Sequence, residues 1–244
     1  MSLRPNSLAR LAALSALLAS ATTATAADIL VVRSSGPSAR SYPPARRLPE
    51  NARIALKAGD QLMLLDARGT RLLRGPGTFS ASGSAGPQIA SAQPVQTDRR
   101  ARIGAVRGVE GGELRPPSLW QVDMTRSGNV CVADPAAIAL WRKDAGAALP
   151  VTITRVSDGR SRRVAFEAGA ASARWPADLP LADGAGYRLA WAGRTRPTTL
   201  TFRTLAARPA GLQDMAATLI RNDCAAQLDL LVETVRLPDR APAG

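Results

Sequence analysis

The sequence predicts a mainly β protein: an N-terminal β-domain, then a β-sandwich, then two C-terminal α-helices. Three observations carry that expectation. Apolar residues alternate with polar ones in short runs whose ends are marked by Gly, Asp and Pro, the pattern of half-buried strands. Eight such runs follow one another between residues 118 and 204 with no helical-period run among them. After Pro209 the apolar spacing changes to that of a helix.

The chain opens on the three parts of an export leader. Arg4 and Arg10 supply positive charge, and Leu11 to Ala21 form an apolar run of eleven residues. Ala24-Thr25-Ala26 then places small residues where a signal peptidase reads, with cleavage between Ala26 and Ala27. The apolar run is too short for a membrane-spanning helix, which needs about 20 residues. No cysteine stands immediately after the cleavage point, and no later apolar run reaches 18 residues. The expectation is a periplasmic protein with no lipid anchor and no transmembrane segment, its mature chain beginning at Ala27.

In the mature chain, residues 28–33 (DILVVR) read as a first strand, broken by Ser34-Ser35-Gly36-Pro37 and Tyr42-Pro43-Pro44. From Ala52 the pattern is strand, turn, strand, turn, strand. Ile54 and Leu56 mark the first, Gly59-Asp60 a turn, Leu62 and Leu64 the second, Ala67-Arg68-Gly69 a turn, and Thr70 to Arg74 the third. Consecutive hairpins are the expected pairing. Gly75-Pro76-Gly77 ends the set. Gly75 and Gly77 are read as structural turn residues, because Pro76 removes an amide that a phosphate-cradling loop would use.

The stretch GDQLMLLDARGTRLLRGPGTF resembles the small β-domain of FecR-type envelope proteins. That resemblance implies a β-rich, non-catalytic module over residues 27–112. The chain lacks the cytoplasmic segment and membrane helix of the anti-sigma members, so their signal-relay role is not carried over. Ser82-Gly83-Ser84-Ala85-Gly86-Pro87, Gly111-Gly112 and Pro116-Pro117 read as flexible linker, with a boundary near Gly112.

Residues 113–205 hold the predicted sandwich, with strands at 118–124, 130–133, 137–142, 150–156, 161–167, 172–175, 187–191 and 198–204. Leu179-Pro180-Leu181 followed by Gly186-Tyr187-Arg188-Leu189 resembles the tyrosine corner of fibronectin type III and immunoglobulin-like domains. It implies an architectural Tyr187 whose hydroxyl bonds backbone across a corner. In residues 206–236, Leu212, Met215, Ala216, Leu219 and Ile220 share one helical face, and Leu228, Leu231, Val232 and Val235 share that of a second helix. Residues 237–244 read as a disordered tail.

Cys131 and Cys224 are the only cysteines. In an oxidising compartment they allow one pairing, which would fasten the helical pair to the sandwich. No C-x-x-C spacing supports a redox pair.

Of 32 basic residues two lie in the leader, leaving thirty against nineteen acidic, a surplus of eleven. Only Lys57 and Lys143 are lysines, and the arginines form short clusters such as Arg160-Arg162-Arg163. That spread argues against a nucleic-acid footprint and, in an exported protein, favours anionic envelope polymers.

The chain contains no histidine. Ser-His-Asp and Cys-His machinery and His-ligated zinc are thereby excluded. Ile54 and Leu140 stand three residues before the two lysines, which closes the Ser-x-x-Lys route. No nucleophile elbow, Walker loop, dinucleotide fingerprint or calcium loop occurs, so no cofactor is expected. Carboxylate pairs remain: Asp60 with Asp66, and Asp178 with Asp183. Asp60 and Asp66 sit at expected hairpin ends, where Asp forms turns and should be solvated with ordinary acidity. Of the four tryptophans, Trp141 beside Arg142, and Trp175, are the candidates for stacking on a ligand, against the alternative that they fill the core. These features favour a non-enzymatic binding or scaffold protein with an envelope protein or anionic polymer as partner. The alternatives are a carboxylate-dependent hydrolase of envelope polysaccharide and a periplasmic sensory partner of a membrane signalling protein.

Overall fold

A computed structural model describes residues 28–83 and 115–235. The leader with its Ala26/Ala27 junction, most of the expected linker and the C-terminal tail lie outside the described residues.

The first strand, β1 (Ile29–Ser35), is buried at four consecutive positions. Ile29 and Val31 face one apolar cluster and Leu30 and Val32 another. This is why its sequence is continuously apolar rather than alternating. β1 lies between β2 (Arg47–Leu48) and β4 (Gln61–Asp66), and β4 pairs in turn with β5 (Gly69–Arg74). The β4–β5 hairpin forms as expected, Leu65 opposite Thr70. The expected hairpin before it does not form. β3 (Arg53–Leu56) pairs instead with β6 (Gly77–Ser80), a strand beyond the Gly75-Pro76-Gly77 turn. β1 already occupies the β4 edge that β3 would have needed. Ile54 and Leu56 of β3 close over Ile29, Val31, Leu62 and Leu64 from the four-stranded sheet.

The second half is two sheets around one core. β7 (Val122–Asp123), β8 (Gly128–Val132), β9 (Ala139–Trp141), β10 (Leu149–Arg155) and β11 (Ser161–Phe166) lead to β12 (Ser172–Arg174), β13 (Gly186–Trp191) and β14 (Thr198–Thr204). One sheet has the order β11-β10-β13-β14-β8 and the other β12-β9-β7. Val151, Ile153, Tyr187, Leu189, Leu200 and Phe202 from the first meet Val122 and Leu140 from the second, the inner-face packing of a sandwich. All eight strands overlap the segments read from sequence. Two pairings that alternation does not reveal are parallel, β8 with β14 and β7 with β9.

Two helices end the described chain, α1 (Leu212–Arg221) and α2 (Ala225–Thr234). Ala216, Leu219, Leu228, Leu231 and Val232 pack with Leu30, Val32 and Leu65 of the N-terminal sheet and with Cys131 of β8. The helical pair thus fills the space between the two β-units. Cys131 and Cys224 are disulfide-bonded, fastening the α1–α2 junction to β8. Among the described residues no helix is long and apolar enough to cross a membrane.

Candidate functional site

The residues singled out in sequence are mostly structural. Trp141 and Arg142 are buried, and Trp175 is partly buried against the sandwich core. Trp141 and Arg142 thus lie within the sandwich, and Trp175 along its margin. Trp175 meets the rings of Tyr187 and Phe202 edge-on, each at 5.1 Å, and its indole N–H donates to Leu179 O at 2.8 Å. The Arg142 guanidinium lies 4.9 Å from the Phe166 ring centroid and donates to the carbonyls of Ala170, Ala145 and Glu167. It stitches a loop from within. Tyr187 is fully buried, and its hydroxyl donates to Pro180 O at 2.9 Å. That is the bond across a corner which the resemblance implied.

The carboxylates are occupied as well, though not as expected. Asp60 is 2% exposed rather than solvated. Its side chain accepts backbone N–H groups from Ser38 at 2.8 Å and Lys57 at 2.5 Å. Burial raises its pKa, but hydrogen bonds from Ser38 and Lys57 outweigh that and hold it below the ordinary value. Gly36 lies against this carboxylate. Its φ is +96°, and a Cβ there would stand 2.5 Å from Asp60 Oδ1, so only glycine fits. Gly75 is as constrained, since a Cβ there would stand 2.0 Å from Lys57 O. Gly77 lies under the Phe79 ring. Both glycines serve the turn.

Asp66 accepts from the Arg68 amide at 2.8 Å and lies 3.9 Å from Arg71. Asp178 is hydrogen-bonded by Arg162, which holds it below the ordinary carboxylate range. Asp183 accepts from the Thr204 amide at 2.9 Å. Each of the four carboxylates thus has a hydrogen-bond partner within the chain. Among the described residues no group of three or more His, Cys, Asp or Glu side chains is arranged to hold a metal ion.

The concave feature is a cleft of about 650 Å³ where the three units meet. One wall is the α2 face with Ala226, Asp229, Leu230 and Glu233, and the opposite wall has Arg33 of β1 and Met63 of β4. The start of β8 and the segment from Gln121 to Ser127 line the rest. Asp229 is shared by two arginines from different units, Arg33 and, at 2.5 Å, Arg126. These half-exposed ion pairs are weak and easily opened, each worth roughly 0–1 kcal/mol. Across the cleft lining the three arginines Arg33, Arg115 and Arg126 are balanced by Asp123, Asp229 and Glu233.

β8 is an edge strand of its sheet. Buried Gln227 donates to Cys131 O at 2.9 Å and accepts from Cys131 N at 2.7 Å, standing in for a neighbouring strand. N–H and C=O directions alternate along a strand. The amide and carbonyl of Asn129 therefore point to the same side as those of Cys131, where the cleft lies. Gln121 Oε1 on the cleft wall is buried without a hydrogen-bond partner. Sequence reasoning missed Gln227, Asp229 and Arg33. The helical pattern flagged only the apolar stripe of α2, and a Gln next to that stripe carries no signal of its own.

No protein-family model, curated protein or solved structure matches this chain.

Proposed function

We propose that this is an exported, non-enzymatic binding or scaffold protein of the cell envelope, acting through a protein or envelope-polymer partner. The observation that carries this reading is the state of the carboxylates. A glycosidase needs two facing carboxyl groups, one with a raised pKa to act as acid. Asp60 and Asp178 are instead held below the ordinary value by hydrogen bonds, and Asp66 and Asp183 tie down backbone amides. The cleft supports the same reading. It offers an open stretch of strand edge at Asn129, the apolar side chains of Met63 and Leu230, and arginines on Asp229 held by weak, half-exposed ion pairs that can be exchanged for a partner's carboxylate. An extended polypeptide segment with an acidic side chain fits that combination.

The test joins two assays. Turnover of peptidoglycan and envelope polysaccharide is measured for the unmodified chain and for Asp60→Asn/Asp66→Asn. Retention of envelope proteins is measured for the unmodified chain and for Ala226→Trp, which fills the cleft. The expected result is no turnover by any form, and retention that Ala226→Trp abolishes without unfolding. Turnover by the unmodified chain that disappears in the folded double variant would falsify the binding reading.

A further inference from the structure

We propose that the outer face of the five-stranded sheet binds a linear anionic polysaccharide. The binding reading above supplies only the setting; the surface adjoins the cleft at β8, where Asn129 stands opposite Thr201, and runs away from it across β14, β13, β10 and β11. Strand register determines which residues share this face. Val151, Ile153, Leu189 and Leu200 point inward to the core, so their neighbours point out. Thr152 stands opposite Arg163 on β11 and Ala190 on β13, while Thr154 stands opposite Ser161 and Arg188. Arg188 in turn stands opposite Thr199 on β14. Thr201 and Arg203, both partly buried, continue the outward side of β14 beside Asn129 and the helix-covered Cys131 of β8. The resulting face carries three arginines, Arg163, Arg188 and Arg203, among five hydroxyl groups.

The five strands of this sheet contain no Asp or Glu. Arg33, Arg47 and Arg126 elsewhere, and Arg155 and Arg162 on the other side of β10 and β11, each hold a carboxylate. Among the described residues, none lies within ion-pair reach of Arg163, Arg188 or Arg203. Asp158, at the β10–β11 turn, is taken by Arg155, whose hydrogen bond brings its pKa to about 2. The positive charge on the face is therefore uncompensated.

Geometry selects the shape of the anion. With strands about 4.8 Å apart and about 3.3 Å per residue, Arg163 and Arg188 are about 12 Å apart at the backbone, and Arg188 and Arg203 about 14 Å. The three lie on a diagonal across the sheet, so one small anion cannot bridge them and an extended polymer can. Between them Thr152, Thr154, Ser161, Thr199 and Thr201 offer donors and acceptors suited to sugar hydroxyls. Apart from threonine methyls, the outward apolar groups are Ala165, Ala190 and Pro150, with one larger side chain, Val156, 47% exposed beside Gly186 where β10 ends. A single exposed valine is too little apolar surface to hold a bilayer, and the face has no aromatic ring on which a base would stack.

The test measures binding of polygalacturonate oligomers to the full chain, to Arg163→Ser/Arg188→Ser/Arg203→Ser, and to Ala226→Trp, with neutral dextran, anionic phospholipid vesicles and single-stranded DNA as competitors. The unmodified chain is expected to prefer polygalacturonate. Three charge contacts with a polyanion predict affinity falling about tenfold or more between about 50 and about 200 mM salt. The triple variant, folded by thermal melting, should lose about tenfold or more, because linked weak contacts reinforce one another. Ala226→Trp should bind polygalacturonate normally. Equal binding by the triple variant, no preference over dextran, or tighter binding of vesicles or DNA would each overturn the proposal. Those outcomes leave the cleft reading standing, whose failure shows only in protein retention by Ala226→Trp.

Discussion

Asp60 accepts backbone N–H groups from Ser38 and Lys57, while its own carbonyl accepts from Gly75 at 3.0 Å. One residue therefore joins three loops of the N-terminal unit. A carboxylate whose folded pKa lies below its unfolded value stabilises the fold above the unfolded pKa, and that contribution is lost as pH falls through the folded value. The value to compare is 3.8. Asp60→Asn replaces one acceptor oxygen with an NH₂ group facing amide donors. It should therefore melt at a lower temperature than the unmodified protein at neutral pH, with the gap narrowing as pH is taken below 3.8. Thermal scans across that range check this, and a gap independent of pH would assign the effect to shape alone. The sequence placed Asp60 at a turn but not beneath Gly36. Turn chemistry is local, whereas the cover over Asp60 comes from a loop 22 residues away.

At the scale of elements, strands and helices were legible because alternation and helical spacing are properties of a few adjacent residues. β10, β13 and β14 match their expected spans to within a residue at either end. Partnering was less legible. Nothing local tells β3 that β1 has taken the edge of β4, or β8 that β14 will run parallel to it. The candidate cleft was not legible at all, since its walls come from β1, β4, β8 and α2. β8 shows how an element is completed from far away. Gln227 makes three hydrogen bonds, two with Cys131 and one to Leu119 O at 2.9 Å. Gln227→Leu keeps the volume and leaves buried backbone groups unpaired, at about 1–3 kcal/mol for each buried group left so. Denaturant unfolding should show a loss of about 3 kcal/mol. A loss below about 0.5 kcal/mol would mean that water replaces the amide.

Across the whole molecule, three apolar clusters are arranged in series, and the middle one belongs to both β-units and the helices. Hydrogen bonds from Gln213 to Asp28 O, and from Thr70 to Val232 O at 3.4 Å, add to that contact. So do the Arg47–Asp214 pair at 2.8 Å and the shared Asp229. The two β-units should therefore unfold together. A chain ending at Leu205 would expose Leu30, Val32 and Leu65 on one side and Cys131 on the other. Hydrogen exchange should then show loss of protection in β1 and β4, even though every strand is still present. Unchanged protection there would show that the N-terminal sheet stands by itself.

The same middle cluster sets an order in time. Asp28 and Gln213 are 185 residues apart, and Thr70 and Val232 are 162 apart. A chain made from its N-terminus presents β1 early and its helical cover last. Throughout that interval Leu30 and Val32 have no native partner on one side, and they adjoin Ile29 and Val31 in a four-residue apolar β-forming run. Such a segment is what holdase chaperones capture and what pairs wrongly between neighbouring chains. Synthesis that stalls before residue 212 would leave a nascent protein with most of its strands and an adhesive first one. Yield on expression should therefore depend on how quickly the last two helices arrive.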